Sequence, residues 1–164
     1  MGPMITIRAG RPDDRDAAFD VWADSLTARD GRRPTSEVEA IVRQQLAAPG
    51  SVLLVATDGA AVIGMLSARD GAEDGGRGAP APGLRHIDML FVRPSHWGQG
   101  VGSKLLDAAI EASRALGYQR AQLWVVDENE RATRLYARRG FRHTGRVTSG
   151  DHGEPIGLWA ADLG

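Results

Sequence analysis

The sequence contains no cysteine among its 164 residues. This excludes disulfide bonds, thiolate metal ligands and any covalent mechanism that uses a cysteine nucleophile. A surplus of charge is also missing, because 20 Lys and Arg residues nearly balance 21 Asp and Glu residues and leave a net charge of -1. The composition therefore predicts no basic surface for nucleic acid, and we expect no nucleic-acid partner.

Long apolar runs are absent as well. No stretch reaches the ~20 apolar residues that a bilayer-spanning helix needs, and residues 1–8 lack the apolar core of a signal peptide. We therefore expect no membrane association and a cytoplasmic location. The four histidines, at positions 86, 96, 143 and 152, show no metal-ligand spacing, so no metal site is predicted.

The pattern of apolar residues predicts one domain over residues 1–164, with helices on both faces of a mixed sheet. Period-two and continuous apolar runs predict strands at residues 4–8, 51–56, 61–69, 84–92, 121–126, 141–148 and 155–161. Helical periodicity predicts helices at residues 12–29, 36–48, 101–116 and 129–139. Residues 70–83 have almost nothing to bury and are predicted to form a mobile loop.

The most informative segment is a glycine-rich stretch, residues 96–103, with the sequence H-W-G-Q-G-V-G-S. It follows a predicted strand and leads into a predicted helix, where main-chain N–H groups and the helix dipole favour a phosphate. A Walker A loop does not fit, since Lys104 follows Ser103 rather than preceding it. A dinucleotide fingerprint fits poorly, because the spacing is G-x-G-x-G and the motif lies past mid-chain. A plain tight turn also remains compatible with this segment.

A second motif lies downstream at residues 129–141, N-E-R-A-T-R-L-Y-A-R-R-G-F. Together with Val92-Arg93-Pro94 and Gly100-Val101-Gly102, it resembles the GNAT superfamily of acetyl-CoA-dependent N-acetyltransferases. That family's pattern is V-x-P, then Q/R-x-x-G-x-G/A, then N-x-x-A-x-x-L-Y-x-x-x-G-F. The resemblance covers residues 4–161. Trp97 stands where the family has Gln or Arg, which implies some effect on cofactor affinity but no change of cofactor.

The resemblance implies a GNAT-like α/β fold. Its mixed, mostly antiparallel central sheet of six to seven strands would open into a V between residues 84–92 and 121–126, flanked by about four helices. The implied reaction moves the acetyl group of acetyl-CoA to a primary amine, with a small molecule favoured, by direct attack in a ternary complex. A protein N-terminal or lysine acetyltransferase and a non-catalytic acyl-CoA sensor or interaction module are the alternatives. Dimers are common in the family, so a homodimer also stays open.

The resemblance further assigns roles to individual residues. The implied cofactor-binding residues are Leu90, Phe91, Val92, Trp97, Gly98, Gln99, Gly100, Val101, Gly102, Ser103, Asn129 and Tyr136. Tyr136 is the implied catalytic acid that protonates the leaving thiolate, although its spacing alone fits a core tyrosine. Asp88 is the implied base or substrate anchor, with His86 or a water chain as the alternative base and a structural hydrogen bond as the alternative role of Asp88.

Acceptor recognition in the family comes mainly from the first two helices, their connection and the last strands. The corresponding residues here are Trp22, Leu26, Arg29, Asp30 and the turn around Asp151-His152. Trp22 also fits the core, since it lies on the apolar stripe of its helix. The carboxylates of Asp24, Asp30 and Asp88 could attract a cationic amine or simply be solvated. None of these residues names the acceptor.

Overall fold

The computed structural model describes residues 4–150 and 152–164. The chain forms two compact units, and each unit combines two separate segments. Unit 1 contains the residues up to Ala68 together with Met89–Ala109, and unit 2 contains Arg69–Asp88 and Ile110–Gly164. Neither unit is continuous in sequence. The single domain stays a prediction.

The described residues form seven strands, four helices of eight or more residues and one short helical turn. The strands are β1 Ile5–Ala9, β2 Val52–Asp58, β3 Ala61–Ala72, β4 Pro80–Val92, β5 Arg120–Val126, β6 Arg142–Ser149 and β7 Pro155–Asp162. The helices are α1 Arg15–Asp30, α2 Ser36–Ala47, α3 Glu73–Gly76, α4 Val101–Ala115 and α5 Glu130–Ala137. Short 3-10 turns occupy Pro12–Asp14 and Pro94–His96. Each predicted strand and each predicted helix is present, with ends shifted by a few residues.

Unit 1 is built on antiparallel pairing of β1 with β2 and of β2 with β3. One face of α1 packs with α2 and the sheet in a core cluster that includes Phe19, Trp22, Met65 and Met89. The rings of Phe19 and Trp22 lie 5.4 Å apart at a tilt of 48°. Burial of such aromatic side chains dominates the stabilisation of a core. The core alternative for Trp22 is therefore confirmed.

Unit 2 contains the only parallel pairing recorded among the described residues, between β4 and β5. Its register runs from Leu84↔Arg120 to Ile87↔Leu123, although β5 continues to Val126. Strand β7 pairs antiparallel with both β5 and β6, and the β6–β7 ladder is irregular between His143 and Val147. The predicted class, mixed α/β with mostly antiparallel strands, is confirmed.

The predicted loop over residues 70–83 is wrong for most of its length. Strand β3 continues to Ala72, α3 follows, and β4 begins at Pro80. The turn is closed by a main-chain hydrogen bond from Glu73 N to Ala79 O at 2.8 Å. The indole N–H of Trp124 donates to Gly75 O at 3.1 Å. The segment is ordered by main-chain bonds and a distant tryptophan rather than by apolar side chains of its own, so its composition could not reveal it.

Candidate active site

The predicted phosphate cradle lies in unit 1, in the turn between β4 and α4. Gly98 and Gly100 have φ values of 77° and 78°, in the left-handed region that favours glycine. No atom lies within 4 Å of the Cβ that a side chain would add at either position. Helix α4 makes its first hydrogen bond from Lys104 N to Gly100 O at 3.1 Å, so the three preceding N–H groups have no acceptor within the helix. An open surface with free N–H donors at a helix start suits a phosphate.

Trp97 closes this turn against the end of β4. Its indole N–H donates to the Val92 carbonyl oxygen at 2.6 Å, while 42% of the residue is exposed. The hydroxyl of Ser25 lies 2.8 Å from the same oxygen and 2.7 Å from Val21 O, so it shares one proton between them. A carbonyl oxygen has two lone pairs. The Val92 carbonyl is therefore already occupied, and a ligand could use it only by displacing one of these donors.

Arg93, inside the V-x-P motif, fixes the end of β4, and sequence reasoning gave it no role. Its main-chain N–H donates to Ile63 O at 2.8 Å and its Nε to Val62 O at 3.0 Å. Its guanidinium also forms an ion pair with Asp24 of α1. Asp24 is thus neutralised within unit 1 and is not a free carboxylate for a cationic amine. An arginine in the middle of a recognised motif was the only available signal.

In unit 2, Asp88 is held by Arg69. Both carboxylate oxygens of Asp88 accept from Nε of Arg69, at 2.9 and 3.1 Å. The Asp88 side chain is only 9% exposed, whereas that of Arg69 is 46% exposed. A buried carboxylate needs such a partner, because an unpaired charge in a poorly solvated position is costly. The structure therefore brings Asp88 into an ion pair whose cation faces outward, and sequence reasoning missed Arg69.

His86 lies behind this pair and is buried. Gln122 Nε2 lies 3.1 Å from His86 Nδ1. An amide N–H only donates, so Nδ1 accepts and the neutral ring carries its proton on Nε2. That atom is 3.7 Å from Asp88 Oδ1. Burial lowers the pKa of His86, against an opposing effect of Asp88 and with a smaller lowering effect of Arg69. His86 is thus neutral at neutral pH, and its lone pair faces Gln122.

Tyr136 and Asn129 lie on and next to α5. Asn129 is the N-cap residue, and its side-chain oxygen accepts from Ala132 N at 3.1 Å. Tyr136 is buried, with its ring 5.8 Å from that of Phe141 in an edge arrangement. Burial raises the pKa of Tyr136 to about 12. The phenol therefore stays protonated near neutral pH and can donate a proton but not accept one.

The residues predicted to contact the acceptor include four that lie on α1 and differ in exposure. Trp22 is buried in the core of unit 1, and Leu26 packs against the same cluster. Arg29 and Asp30 form an exposed ion pair at 2.9 Å. Asp151 lies outside the described residues. In unit 2, the structure gathers Asp88 and His86 with partners that the sequence did not suggest.

Residues 4–150 and 152–164 offer neither a membrane-spanning helix nor a metal-binding cluster. No helix in that part of the chain is long and apolar enough to cross a membrane. No group of three or more His, Asp or Glu side chains there is arranged to hold a metal ion.

The chain is similar to known acetyltransferases in sequence and in structure. Residues 15–141 match the sequence profile described as "Acetyltransferase (GNAT) family". The peptidyl-lysine N-acetyltransferase YjaB of Salmonella typhimurium is 28% identical over 159 residues, which cover 94% of this chain and 95% of that protein. The phosphinothricin N-acetyltransferase of Streptomyces coelicolor is 36% identical over 69 residues, or 42% of this chain and 40% of that protein. The PaiA N-acetyltransferase from Thermoplasma acidophilum, solved in complex with coenzyme A, superposes with a TM-score of 0.68 at 17% identity, covering 94% of this chain and 98% of that one.

Proposed function

The chain belongs to the acetyltransferase (GNAT) family and is an acetyl-CoA-dependent N-acetyltransferase; on that premise, we propose that its acceptor is the primary amine of a small molecule. The glycine turn at the start of α4 is the observation that supports the proposed binding of acetyl-CoA there. Gly98 and Gly100 leave open space where side chains would otherwise stand. The N–H groups of the first turn of α4 point out of the helix, where the pyrophosphate of coenzyme A would accept from them.

The remaining cofactor contacts are proposed from the family pattern. They involve the main chain of Leu90 and Val92, as an added strand, together with Phe91, Trp97, Gln99, Val101, Gly102, Ser103, Asn129 and Tyr136. The carbonyl of Val92 already accepts from Trp97. Its N–H is therefore the group that we assign to the pantetheine arm. Asn129 caps α5 through its side-chain oxygen, which leaves the amide NH2 for a cofactor contact.

The proposed chemistry is direct transfer in a ternary complex. The amine nitrogen attacks the carbonyl carbon of the thioester, and the bond between that carbon and sulfur breaks. The phenol of Tyr136 gives its proton to the sulfur, which its raised pKa permits because it is protonated throughout the physiological range. The amine gives up a proton to Asp88 or to a water chain that Asp88 orients. His86 is assigned a positioning role, because its lone pair is engaged by Gln122.

Two relatives bear on the acceptor class. A relative that matches over nearly the whole chain is named for peptidyl-lysine, and the phosphinothricin relative matches over only 69 residues. A small molecule that carries an anionic group near its amine is favoured, because the proposed anchor Asp88 is paired with Arg69. The side chain of a peptidyl lysine brings no anion to that arginine.

A coenzyme A release assay tests this function. The purified protein is mixed with acetyl-CoA and a panel of polyamines, amino acids, aminoglycosides, lysine peptides and N-terminal peptides, with acetyl-CoA binding measured by calorimetry. Turnover on small amines is the expected result. Turnover confined to peptides would overturn the small-molecule acceptor. Tight acetyl-CoA binding with no turnover on any amine would favour the non-catalytic sensor.

A further inference from the structure

We propose that Arg69 recognises a carboxylate on the acceptor, so that the acceptor is an amino-acid-like molecule that carries both a primary amine and a carboxylate. This inference rests on the acetyl transfer proposed above and names the substrate class of that site. It is carried by the ion pair of Arg69 with Asp88, by the exposure of Arg69, and by the groups that hold the pair in place.

Only one nitrogen of the Arg69 guanidinium donates a hydrogen bond among the described residues. Its hydrogen bonds among the described residues all leave from Nε, which donates to both oxygens of Asp88. The two terminal nitrogens form the other edge of the planar fork, and their four N–H groups make no hydrogen bond within the described part of the chain. The side chain of Arg69 is 46% exposed, and its recorded partner Asp88 is held at Nε, which leaves the terminal nitrogens available to a ligand. Two parallel N–H donors are the arrangement that binds a carboxylate in a bidentate manner.

Arg85 provides a contrast within unit 2. Its side chain is 8% exposed, its Nη1 donates to the Tyr118 hydroxyl at 3.1 Å, and its guanidinium carbon lies 4.2 Å from the centre of the Tyr118 ring. Arg85 is thus enclosed by its partners and serves the fold. Arg69, by contrast, contacts Asp88 through Nε and keeps its two terminal nitrogens available for a ligand.

Buried side chains lie next to Asp88. Asp88 is largely buried beside His86, and Gln122 fixes the His86 ring. Gly76, in the turn between β3 and β4, has no side chain, and a Cβ there would lie 3.7 Å from Arg69 Nη2. A guanidinium that is already oriented loses little conformational entropy on binding a ligand. The contacts of Nε with Asp88 therefore orient the terminal nitrogens, and Gly76 has no side chain to cover them.

The charges match those of a zwitterion. Arg69 and Asp88 place a positive and a negative group next to each other, and a free amino acid carries an ammonium and a carboxylate a few bonds apart. The ligand carboxylate would bind the outer edge of Arg69, while the amine lies toward Asp88, the proposed anchor. His86 adds no charge at neutral pH, since burial keeps it unprotonated. A simple cationic amine would meet Arg69 as well as Asp88 and gain less from the pair.

The first test uses wild-type protein and matched acceptors. Glutamate, phenylalanine and lysine are each compared with the corresponding carboxamide and decarboxylated amine in steady-state coenzyme A release. We expect kcat/KM to be about 10–100-fold higher for at least one free acid than for its two analogues, the range for a charge-assisted pair. Equal or better turnover of the carboxamides or of lysine peptides would overturn the inference and leave acetyl transfer intact.

The second test uses Arg69→Gln, with Arg77→Gln as the matched control. Arg77 is exposed in the same turn region and belongs to neither proposed site, so R77Q corrects for the loss of one positive charge. R69Q should raise KM for the acid about 10-fold or more and leave the carboxamide and decarboxylated amine within about twofold of wild type. An equal loss for all three acceptors would show that Arg69 merely holds Asp88.

If no acceptor turns over, calorimetry in the presence of coenzyme A tests the inference. Binding of the acid but not of its amide would support recognition by Arg69 even though acetyl transfer fails. Binding of neither would overturn the inference.

Discussion

The indole nitrogen of Trp97 and the carbonyl oxygen of Val92 lie 2.6 Å apart, across the turn that joins β4 to α4. The family pattern has Gln or Arg at the position of Trp97, a polar side chain that could contact the phosphates. In this chain the Trp97 side chain instead donates a hydrogen bond to the backbone carbonyl of Val92. That hydrogen bond fixes the turn and occupies the carbonyl at the end of β4. It supplies no positive charge for the pyrophosphate.

Replacing Trp97 with Arg should strengthen coenzyme A binding. The variant adds a cation beside the proposed cradle and removes the indole donor from the Val92 carbonyl. We expect Kd for coenzyme A to fall by up to about 10-fold in low salt, with the gain shrinking as ionic strength rises because exposed charges are screened. Calorimetry in two salt concentrations measures the effect. Trp97→Phe frees the carbonyl without adding charge, so an equal gain in W97F would contradict the electrostatic explanation.

Substitution of Gly100 should weaken coenzyme A binding far more than it weakens the fold. At φ 78° a Cβ costs about 1 kcal/mol of backbone strain, and it would project into the open space where we place the pyrophosphate. Gly100→Ala should raise Kd for coenzyme A at least about 10-fold. Gly117→Ala is the matched control, since Gly117 follows the other end of α4 with φ 90° and equally empty surroundings. We expect G100A and G117A to lose similar stability, but only G100A to bind coenzyme A more weakly. Unchanged coenzyme A binding in G100A would mean that the phosphate site lies elsewhere.

Replacing Tyr136 with Phe should lower kcat and leave acetyl-CoA binding near that of wild type. Loss of a positioned general acid costs on the order of 10²-fold or more in rate. Because the pKa of Tyr136 is raised to about 12, kcat should show no tyrosine ionisation below about pH 10. The chain has one other tyrosine, Tyr118, whose hydroxyl bonds to Asp70 and accepts from Arg85. Y118F should change stability but not kcat, and equal kcat values for Y136F and wild type would remove Tyr136 from the mechanism.

The elements of the fold were predictable where their signal is local. Apolar periodicity marked α1 and α4, and the glycines of the turn before α4 marked a strand-to-helix connection, because each of these depends on neighbours within a few residues. The ordered turn at Glu73–Gly76 was not predictable, since Trp124 orders it from 49 positions away. Sequence spacing carries no information about such a contact.

The site shows the same division. Asp88, His86 and Tyr136 could be proposed from motif position. Their partners could not, because Arg69 is 19 residues from Asp88 and Gln122 is 36 residues from His86. Whether a carboxylate is free or paired depends on which strand lies beside it. Because Asp88 is paired with Arg69, the group that faces the solvent is a guanidinium and not a free carboxylate.

The buried position of His86 should make the protein less stable in mild acid. Its pKa is lowered from 6.5 by burial, with Asp88 opposing and Arg69 adding to the shift, while Gln122 contributes a neutral hydrogen bond. Below pH 6.5 the unfolded chain therefore binds a proton at this position more readily than the folded chain does. The free energy of unfolding is at its full value above pH 6.5 and falls as the pH decreases.

Urea denaturation of wild type and His86→Gln between pH 8 and pH 5 measures this effect. The variant lacks the titrating ring. Any loss of stability caused by the substitution itself is the same at every pH, so only the shapes of the two plots of unfolding free energy against pH are compared. The stability of wild type relative to H86Q should decrease as the pH falls through and below 6.5. A wild-type advantage that grows in acid would mean that Asp88 outweighs burial and that His86 is protonated in the folded protein.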